Sequence, residues 1–265
     1  MRFGKPISVD HSVICILGHQ SMLTYKRYRS LVNVLYNKKI SANPCHPCAI
    51  SLPAKQHGMA IKNIIFDLGG VLLNLDFGKT AKAFQDLGVT NFNDYFTQTH
   101  ANPLFKTLET GDVPSEVFYD EFRATTGLRV TNEAIAGAWN AMLLDFPKER
   151  IELLLELKKK YRLFLFSNTN AIHYDSLQET FVKEFAHQFD SLFEKAYYSH
   201  IIGHRKPNVS AFEYILIDAG ITAEESVFID DTLPNVEAAK QAGIHAFHLA
   251  APDTIIDLAR KEKLL

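Results

Sequence analysis

Three aspartates come directly after apolar runs of the sequence, and their positions point to a shared chemistry. Asp67 follows the run 64–66, and the adjacent pair Asp230 and Asp231 follows the run 227–229. An acid at the carboxyl end of a parallel strand lies where such sheets bind their ligands. Two neighbouring carboxylates repel each other unless a cation offsets their charge. The acids therefore indicate a cation site, although an aspartate after a strand can also simply cap the next turn.

Two further segments place anion-binding groups beside predicted strands. Ser167 and Asn168 follow the run 163–166 at a strand-to-helix junction, where a hydroxyl and backbone N–H groups suit an anion. Lys206 lies in a basic turn before a helical stretch, and its ammonium group can act as a point charge on a phosphate. Taken alone, the first segment is more often a helix cap, and the second also fits a solvated basic turn.

These residues must be positioned by alternating strands and helices. From residue 61 onward, short apolar runs alternate with amphipathic stretches, which is typical of a parallel sheet covered by helices. The runs that predict strands are 64–66, 163–166, 196–198, 227–229 and 246–249. Helical periodicity over 208–219 and 234–242 separates the later runs. The sequence therefore predicts an α/β fold with a doubly wound parallel sheet.

An insertion is expected between the first two strands. Roughly a hundred residues separate them, far more than one crossover helix needs. The stretch has few strand-like segments and shows helical patterns over 114–125 and 131–143, so we expect an all-helical cap beside the carboxyl ends of the strands. A helix predicted over 147–160 returns the chain to the core. The predicted domains are a core of residues 59–76 and 157–265 and a cap of residues 77–156.

Residues 1–58 differ in composition from the rest of the chain. They hold eight basic residues, one acidic residue and all three cysteines, whereas residues 59–265 hold 20 basic and 29 acidic residues. Their apolar run is too short for a secretory signal, and their proline and cysteine content is a poor match to a transit peptide. The pair Cys45 and Cys48 falls short of the four ligands of a structural zinc site. We expect a disordered extension, with Met59 as the native start.

The composition of the whole chain bears on its partners and compartment. Its 265 residues are 47% hydrophobic and 22% charged, the profile of a globular protein with a sizeable core. The formal net charge of −2 gives no reason to expect nucleic acid, and no run approaches the roughly 20 apolar residues that span a bilayer. Because no cysteine follows residue 58, a reducing cytoplasmic location is expected.

In combination, the four segments resemble the ordered motifs of haloacid dehalogenase-like hydrolases with a helical cap after the first motif. Asp67, Ser167, Lys206 and the pair Asp230-Asp231 are separated by 100, 39 and 25 residues, the last counted to Asp231. The segments 66–71 and 167–170 look most like those of bacterial α-D-glucose-1-phosphate phosphatases, and more distantly like the phosphatase domain of soluble epoxide hydrolases. The resemblance implies the strand order 5-4-1-2-3, which brings the motifs to one crevice.

The resemblance also implies the chemistry. The protein would be a phosphoric monoester hydrolase that uses Asp67 as a covalent nucleophile and forms an aspartyl-phosphate. Its cofactor would be Mg²⁺, and its substrate a small phosphorylated metabolite such as a sugar phosphate. The implied metal ligands are Asp67, the backbone carbonyl of Gly69, Asp231 and Asp230, with Asn235 near the metal's water shell. The implied phosphate-binding residues are Ser167, Asn168 and Lys206, and Lys206 is also expected to be catalytic.

The sequence departs from the usual family pattern at Gly69. Most members carry a second acid there, two residues after the nucleophile, which protonates the leaving oxygen and later activates water. The glucose-1-phosphate phosphatases that the chain resembles also have glycine at this place, so activity is still expected. His173, one turn beyond Asn170, is a candidate for the proton transfer, although a surface or core role is the commoner one for such a histidine.

Residues of the predicted cap are expected to choose the substrate, because the motif residues contact only the phosphoryl group and the metal. Glu109, Gly111 and Trp139 are candidates, and packing between helices is the favoured alternative for Trp139. We expect the partner to be a small-molecule phosphate ester, with neither nucleic acid nor membrane involved, and the protein to be a monomer or a homodimer.

Two other functions are compatible with the motifs. A 2-haloacid dehalogenase shares the fold and the aspartate nucleophile and also lacks the second acid, but the resemblance implies that it needs no metal. A catalytically silent binding protein would explain the missing acid. The intact pair Asp230-Asp231 favours phosphoryl transfer over both.

Overall fold

Five parallel strands form the sheet of the structure, a computed structural model that describes residues 60–98 and 100–265. The strands are β1 (Asn63–Phe66), β2 (Arg162–Ser167), β3 (Lys195–Tyr198), β4 (Ser226–Asp230) and β5 (His245–His248). Their order across the sheet is β3-β2-β1-β4-β5, and every neighbouring pair is parallel. This is the predicted order seen from the other edge, so the predicted fold class is confirmed.

The central strand explains why the strands read as unbroken apolar runs. All four residues of β1 are buried, and Ile64, Ile65 and Phe66 are fully covered. A parallel sheet with helices on both faces leaves no solvent-facing side, so the strand needs no alternation of polar and apolar residues. Its partners are β2 on one side and β4 on the other, in a register that pairs Phe66 with Leu165 and with Ile229.

The described residues form ten α-helices. They are α1 (Phe77–Asp86), α2 (Pro103–Glu109), α3 (Ser115–Thr126), α4 (Asn132–Asn140), α5 (Lys148–Leu157), α6 (Ala171–Phe185), α7 (Ser199–Ile202), α8 (Val209–Ala219), α9 (Leu233–Gln241) and α10 (Ile255–Lys261). Each helix predicted from the sequence is present, with bounds that differ from the expected ones by at most three residues.

Helices α1 to α4 share a hydrophobic cluster that is separate from the core around the sheet. Aromatic rings dominate it: Phe84 stacks on Phe92 with centroids 4.3 Å apart, and Phe105 meets Trp139 at 4.9 Å. A helical segment with a core of its own, inserted between β1 and β2, is what the predicted cap requires. The cap of residues 77–156 remains a proposal, and its predicted end falls inside α5, whose buried residues belong to the cluster around the sheet.

Helix α5 belongs by its packing to the sheet. Its buried residues lie in the cluster around the strands, not in the one shared by α1 to α4. They are Ile151, Leu153, Leu154 and Leu157. The helix thus brings the chain back to the core before β2, as its amphipathic pattern predicts.

The predicted disordered extension of residues 1–58 and the predicted start at Met59 concern residues outside the described part of the chain. Among the helices of the described part, none has both the length and the apolar character needed to cross a membrane.

Replacing Phe105 with alanine should destabilise the folded protein by about 3–5 kcal/mol. The ring is fully buried and contacts the rings of Phe118 and Trp139 at 5.1 and 4.9 Å, so its removal leaves a cavity in the cluster of α1 to α4. Urea denaturation measures the change. The control is Val117→Ala at an exposed position of α3, for which we expect less than about 0.5 kcal/mol. Similar effects of the two substitutions would contradict the packing described here.

Candidate active site

The order of the strands brings the predicted motifs together. Asp67 directly follows β1, Ser167 is the last residue of β2, and Asp230 is the last residue of β4. Because β1 lies between β2 and β4, these three residues meet at one edge of the sheet, where the chain connections diverge to either side. The backbone N–H of Asp67 still donates to the carbonyl oxygen of Ile229 at 2.9 Å, so the sheet fixes the aspartate's backbone directly.

Lys206 joins two of the aspartates. Its ammonium nitrogen lies 2.6 Å from Oδ1 of Asp67 and 2.7 Å from Oδ2 of Asp230. The side chain is buried, and the rings of Phe166 and Phe228 flank the ammonium at 5.3 Å. Burial acts to lower the pKa of Lys206, but the charges of Asp230 and Asp67 raise it above its ordinary value overall. The lysine is therefore a fixed positive charge beside Asp67.

The side chain of Asn168 holds the lysine's backbone. Its Nδ2 donates to the carbonyl oxygen of Lys206, and its Oδ1 accepts from the N–H of Lys206, both at 2.9 Å. Because both polar atoms of its amide are engaged, the side chain of Asn168 positions Lys206. For the predicted binding of phosphate, Asn168 can offer only its backbone N–H. Ser167 is buried at the same turn, and its hydroxyl makes a long contact of 3.5 Å to the carbonyl oxygen of Asn168.

Asp230 is surrounded by donors. Its Oδ1 accepts from the backbone N–H of Thr232 at 2.8 Å, and both of its oxygens lie 3.0 Å from Nδ2 of Asn235. Lys206 completes the set. Asp230 is fully buried and orients the lysine and the asparagine. Asn235, expected near the metal's water shell, has its amide on this carboxylate.

Three carboxylates form a group with the geometry of a cation site. Asp67, Asp230 and Asp231 each offer an oxygen within 4.8 Å of those of the other two. Lys206 balances one of their charges. Burial raises the pKa of Asp67 to about 7, against the opposing effect of Lys206, and burial followed by the charge of Asp230 raises the pKa of Asp231. The excess negative charge and the oxygen donors fit a hard divalent cation such as Mg²⁺.

Two glycines follow Asp67, and the structure constrains them differently. Gly70 has φ +74°, and a Cβ there would collide with the carboxylate of Asp231, so glycine lets the loop approach this acid. Gly69 occupies the place of the family's second acid. A Cβ on Gly69 would lie 2.5 Å from Cδ1 of Leu75. The space that an acidic side chain would enter is therefore taken by an apolar one.

The site opens into a cavity of about 330 Å³. Predicted site residues that line it are Asp67, Gly69, Ser167, Asn168, Lys206, Asp231 and Asn235, together with the substrate candidates Glu109 and Trp139. Asp230 lies behind this wall. Gly111 is not part of the wall: it has φ +69°, and its lack of a side chain lets the turn after α2 pack on the backbone of His200. Its expected role in choosing the substrate is replaced by a packing role.

Some cavity residues were missed in the sequence. Arg205 forms an ion pair of 2.7 Å with Glu109, and Gln98 donates to Oδ2 of Asp231 at 3.0 Å. Burial raises the pKa of Glu109, while the Arg205 guanidinium opposes the rise. Arg205 could have been suspected from its position next to Lys206. Gln98 lies in an irregular loop without periodicity, so no sequence signal indicates it.

His173 is held neutral. Its ring stacks on that of Trp139 with centroids 4.4 Å apart, and its Nδ1 lies 2.7 Å from Oδ1 of Asn140. Burial, with a smaller contribution from His200, lowers the pKa of His173 to about 3. An imidazole that is uncharged at neutral pH is a poor acid for a leaving group. The structure therefore argues against His173 as the proton donor considered from the sequence.

A family model described as haloacid dehalogenase-like hydrolase matches residues 61–243. The chain belongs to this family. The match begins just before β1 and ends after α9. It therefore contains all the motif residues from Asp67 to Asp231 and the helices inserted between β1 and β2. The family predicted from the motifs is confirmed.

Several relatives of this hydrolase have described activities or ligands. A D-ribitol-5-phosphate phosphatase of Bacteroides thetaiotaomicron is 28% identical over 187 residues, which cover 71% of this chain and 91% of the relative. A HAD family enzyme of the same organism, solved with magnesium and inorganic phosphate, has 34% identity and a TM-score of 0.70, with coverage of 75% and 99%. An L-2-haloacid dehalogenase has a TM-score of 0.54 at 17% identity, which shows the fold alone.

Replacing Asn168 with alanine should lower the free energy of unfolding by about 1–3 kcal/mol, because two partly buried backbone groups of Lys206 lose their partners. Urea denaturation tests this. The control is Asn208→Ala, since Asn208 is exposed and its side chain makes no capping hydrogen bond to α8. A stability loss no greater than that of the control would show that the two hydrogen bonds from Asn168 to the backbone of Lys206 do not stabilise the fold.

Proposed function

We propose that this hydrolase is a magnesium-dependent phosphatase acting on a small sugar or polyol phosphate. The observation that carries the proposal is the group of three carboxylates around Lys206. Asp67 lies beside a fixed positive charge, and the pair Asp230 and Asp231 supplies more negative charge than Lys206 alone can balance. A nucleophile next to a cation site suits the transfer of a charged phosphoryl group.

In the proposed reaction, a carboxylate oxygen of Asp67 attacks the phosphorus atom of the ester. The phosphorus–oxygen bond to the leaving alcohol breaks, and the bond electrons leave with that oxygen. A water molecule then attacks the phosphorus of the aspartyl-phosphate, which releases inorganic phosphate and restores Asp67. Asp67 must be ionised for the first step. Burial raises its pKa to about 7, and the neighbouring Lys206 opposes that rise by favouring the charged form.

The other residues keep the roles expected from the motifs. Ser167 and the backbone N–H of Asn168, near the start of α6, would bind the non-bridging oxygens together with Lys206. Asp67, the Gly69 carbonyl and Asp231 would hold Mg²⁺, which would supply positive charge that stabilises the phosphoryl group. Asp230 already accepts hydrogen bonds at both oxygens, so we propose that it acts on the cation through water and not as a direct ligand.

Gly69 bears on the choice of substrate. No acid stands two residues after Asp67, and Leu75 fills the adjacent space, so the leaving oxygen departs without a donor from this position. Leaving groups that tolerate negative charge should then be favoured. The hemiacetal oxygen of an anomeric sugar phosphate is less basic than a primary alcohol. One relative is a D-ribitol-5-phosphate phosphatase, whose named substrate is the phosphate of a primary alcohol. Anomeric phosphates and primary-alcohol phosphates should therefore both be tested as substrates.

We infer a cytoplasmic enzyme whose partner is the phosphate ester itself and which acts as a monomer or a homodimer. The group of three carboxylates also argues against the two alternatives, because neither a metal-independent dehalogenase nor a silent binding protein needs this excess of buried negative charge.

Replacing Asp67 with asparagine should reduce kcat to below about 1% of the original, a rise in barrier of more than about 2.7 kcal/mol, because the amide cannot attack phosphorus. Hydrolysis of p-nitrophenyl phosphate with and without Mg²⁺ measures this. The unmodified protein should hydrolyse the ester only with Mg²⁺. Asp190→Asn, which alters a carboxylate that does not line the cavity, is the control. Phosphatase activity that survives in Asp67→Asn would rule out the proposed nucleophile.

Replacing Gly69 with aspartate should broaden the range toward esters of primary alcohols. The backbone at residue 69 permits a side chain, but Leu75 must move, so the double variant Gly69→Asp/Leu75→Ala should show the effect more fully. General acids contribute about 10²–10⁴-fold. The measurement is the single-turnover rate for aryl phosphates of graded leaving-group pKa, with Leu75→Ala as control. A shallow dependence in the unmodified protein would mean that another residue already donates the proton.

A further inference from the structure

Two adjacent side chains of the cavity wall each have a buried polar atom with no hydrogen-bond partner among the described residues. They are Nε1 of Trp139 and Nε2 of His173. Trp139 is fully buried and His173 is 6% exposed, and both residues line the cavity. Buried polar atoms in folded proteins almost always have a partner, either in the protein or in an ordered water. In this stacked pair beside the cavity, a water or a polar group of a ligand can be that partner.

The hydrogen-bonding character of each atom follows from the contacts of the pair. Nδ1 of His173 lies 2.7 Å from Oδ1 of Asn140, an oxygen that can only accept, so Nδ1 carries the ring proton. Since the ring is neutral, Nε2 holds a lone pair and can only accept. Nε1 of Trp139 carries a hydrogen and can only donate. The stacked pair therefore holds one acceptor and one donor.

These two atoms distinguish between kinds of ligand. An alcohol hydroxyl both donates and accepts, so it can satisfy His173, Trp139 or both. The oxygens of a phosphate dianion only accept and leave Nε2 of His173 without a partner. An alkyl chain satisfies neither atom. The chemistry of the wall thus selects hydroxyl groups, which in a phosphate ester belong to the leaving alcohol.

We propose that Trp139 and His173 form a hydroxyl-recognition subsite that selects polyhydroxylated leaving groups over alkyl ones. The inference rests on the proposed phosphatase function and specifies the leaving group of that reaction. The positions of the two residues in the fold support this proposal. His173 lies in the first turn of α6, which follows Ser167 at the end of β2, and Trp139 lies in α4 of the inserted helices. One strand-to-helix connection would thus serve the phosphate with Ser167 and the alcohol with His173.

The test compares two esters of equal carbon number, D-ribitol 5-phosphate and n-pentyl phosphate, with Mg²⁺ and the full chain. The quantity is the ratio of their kcat/KM values. His173→Phe removes the acceptor, so the ratio should fall by about tenfold. His173→Gln places an amide oxygen within reach of the same position, so it should recover part of the ratio. Trp139→Phe, which keeps an aromatic ring but loses the donor, should lower the ratio as well.

Controls separate this inference from a structural role and from the proposed function. Tyr174→Phe alters the residue next to His173, whose hydroxyl bonds to Asp190 away from the cavity, and should leave the ratio unchanged. If His173→Phe and Trp139→Phe slow both esters by the same factor, the pair is structural and the inference fails while the phosphatase function stands. If the unmodified protein hydrolyses neither ester nor p-nitrophenyl phosphate, the proposed function fails and the inference with it.

Discussion

The buried ammonium of Lys206 between Asp67 and Asp230 is the interaction on which the site depends. Charges buried this deeply are tolerated only when they are paired and hydrogen-bonded, and loss of one partner from such a pair typically costs about 3–5 kcal/mol. The surrounding contacts serve this requirement. Asn168 fixes the backbone of Lys206, Asn235 and Thr232 satisfy Asp230, and the pairing of β1 with β4 sets the separation of the two carboxylates. The stability of the fold and the position of Asp67, the proposed nucleophile, thus depend on one network.

The same network leaves a charge imbalance that has a chemical use. One lysine faces three carboxylates, so the site is under-neutralised without a cation, and burial amplifies the effect. A divalent cation offsets the excess negative charge of the carboxylates. The bound cation and Lys206 together can then offset the negative charge of a phosphoryl group. The loop glycine Gly70 contributes by letting the backbone approach Asp231 without a side chain between them.

The proposed selection of the leaving group involves a different part of the molecule. Around the phosphoryl site the wall is polar and fixed by the sheet. Beyond it, the inserted helices contribute Trp139 and Glu109, and the core contributes His173 and Arg205. Leu75 fills the space beside Gly69, which removes acid assistance from that side. In this proposal, the residues that select the alcohol are distinct from those that hold the metal and the phosphate.

The sequence by itself determined the strands, their order through the family resemblance, the inserted helices and the set Asp67, Ser167, Lys206, Asp230 and Asp231. These are readable because buried strands and catalytic motifs depend on local patterns and on spacing along the chain. Contacts between distant segments were decided only by the tertiary structure: Asn168 binds the backbone of Lys206, Arg205 pairs with Glu109, and Gln98 reaches Asp231. The neutral state of His173 is likewise a product of burial, which no residue type reveals on its own.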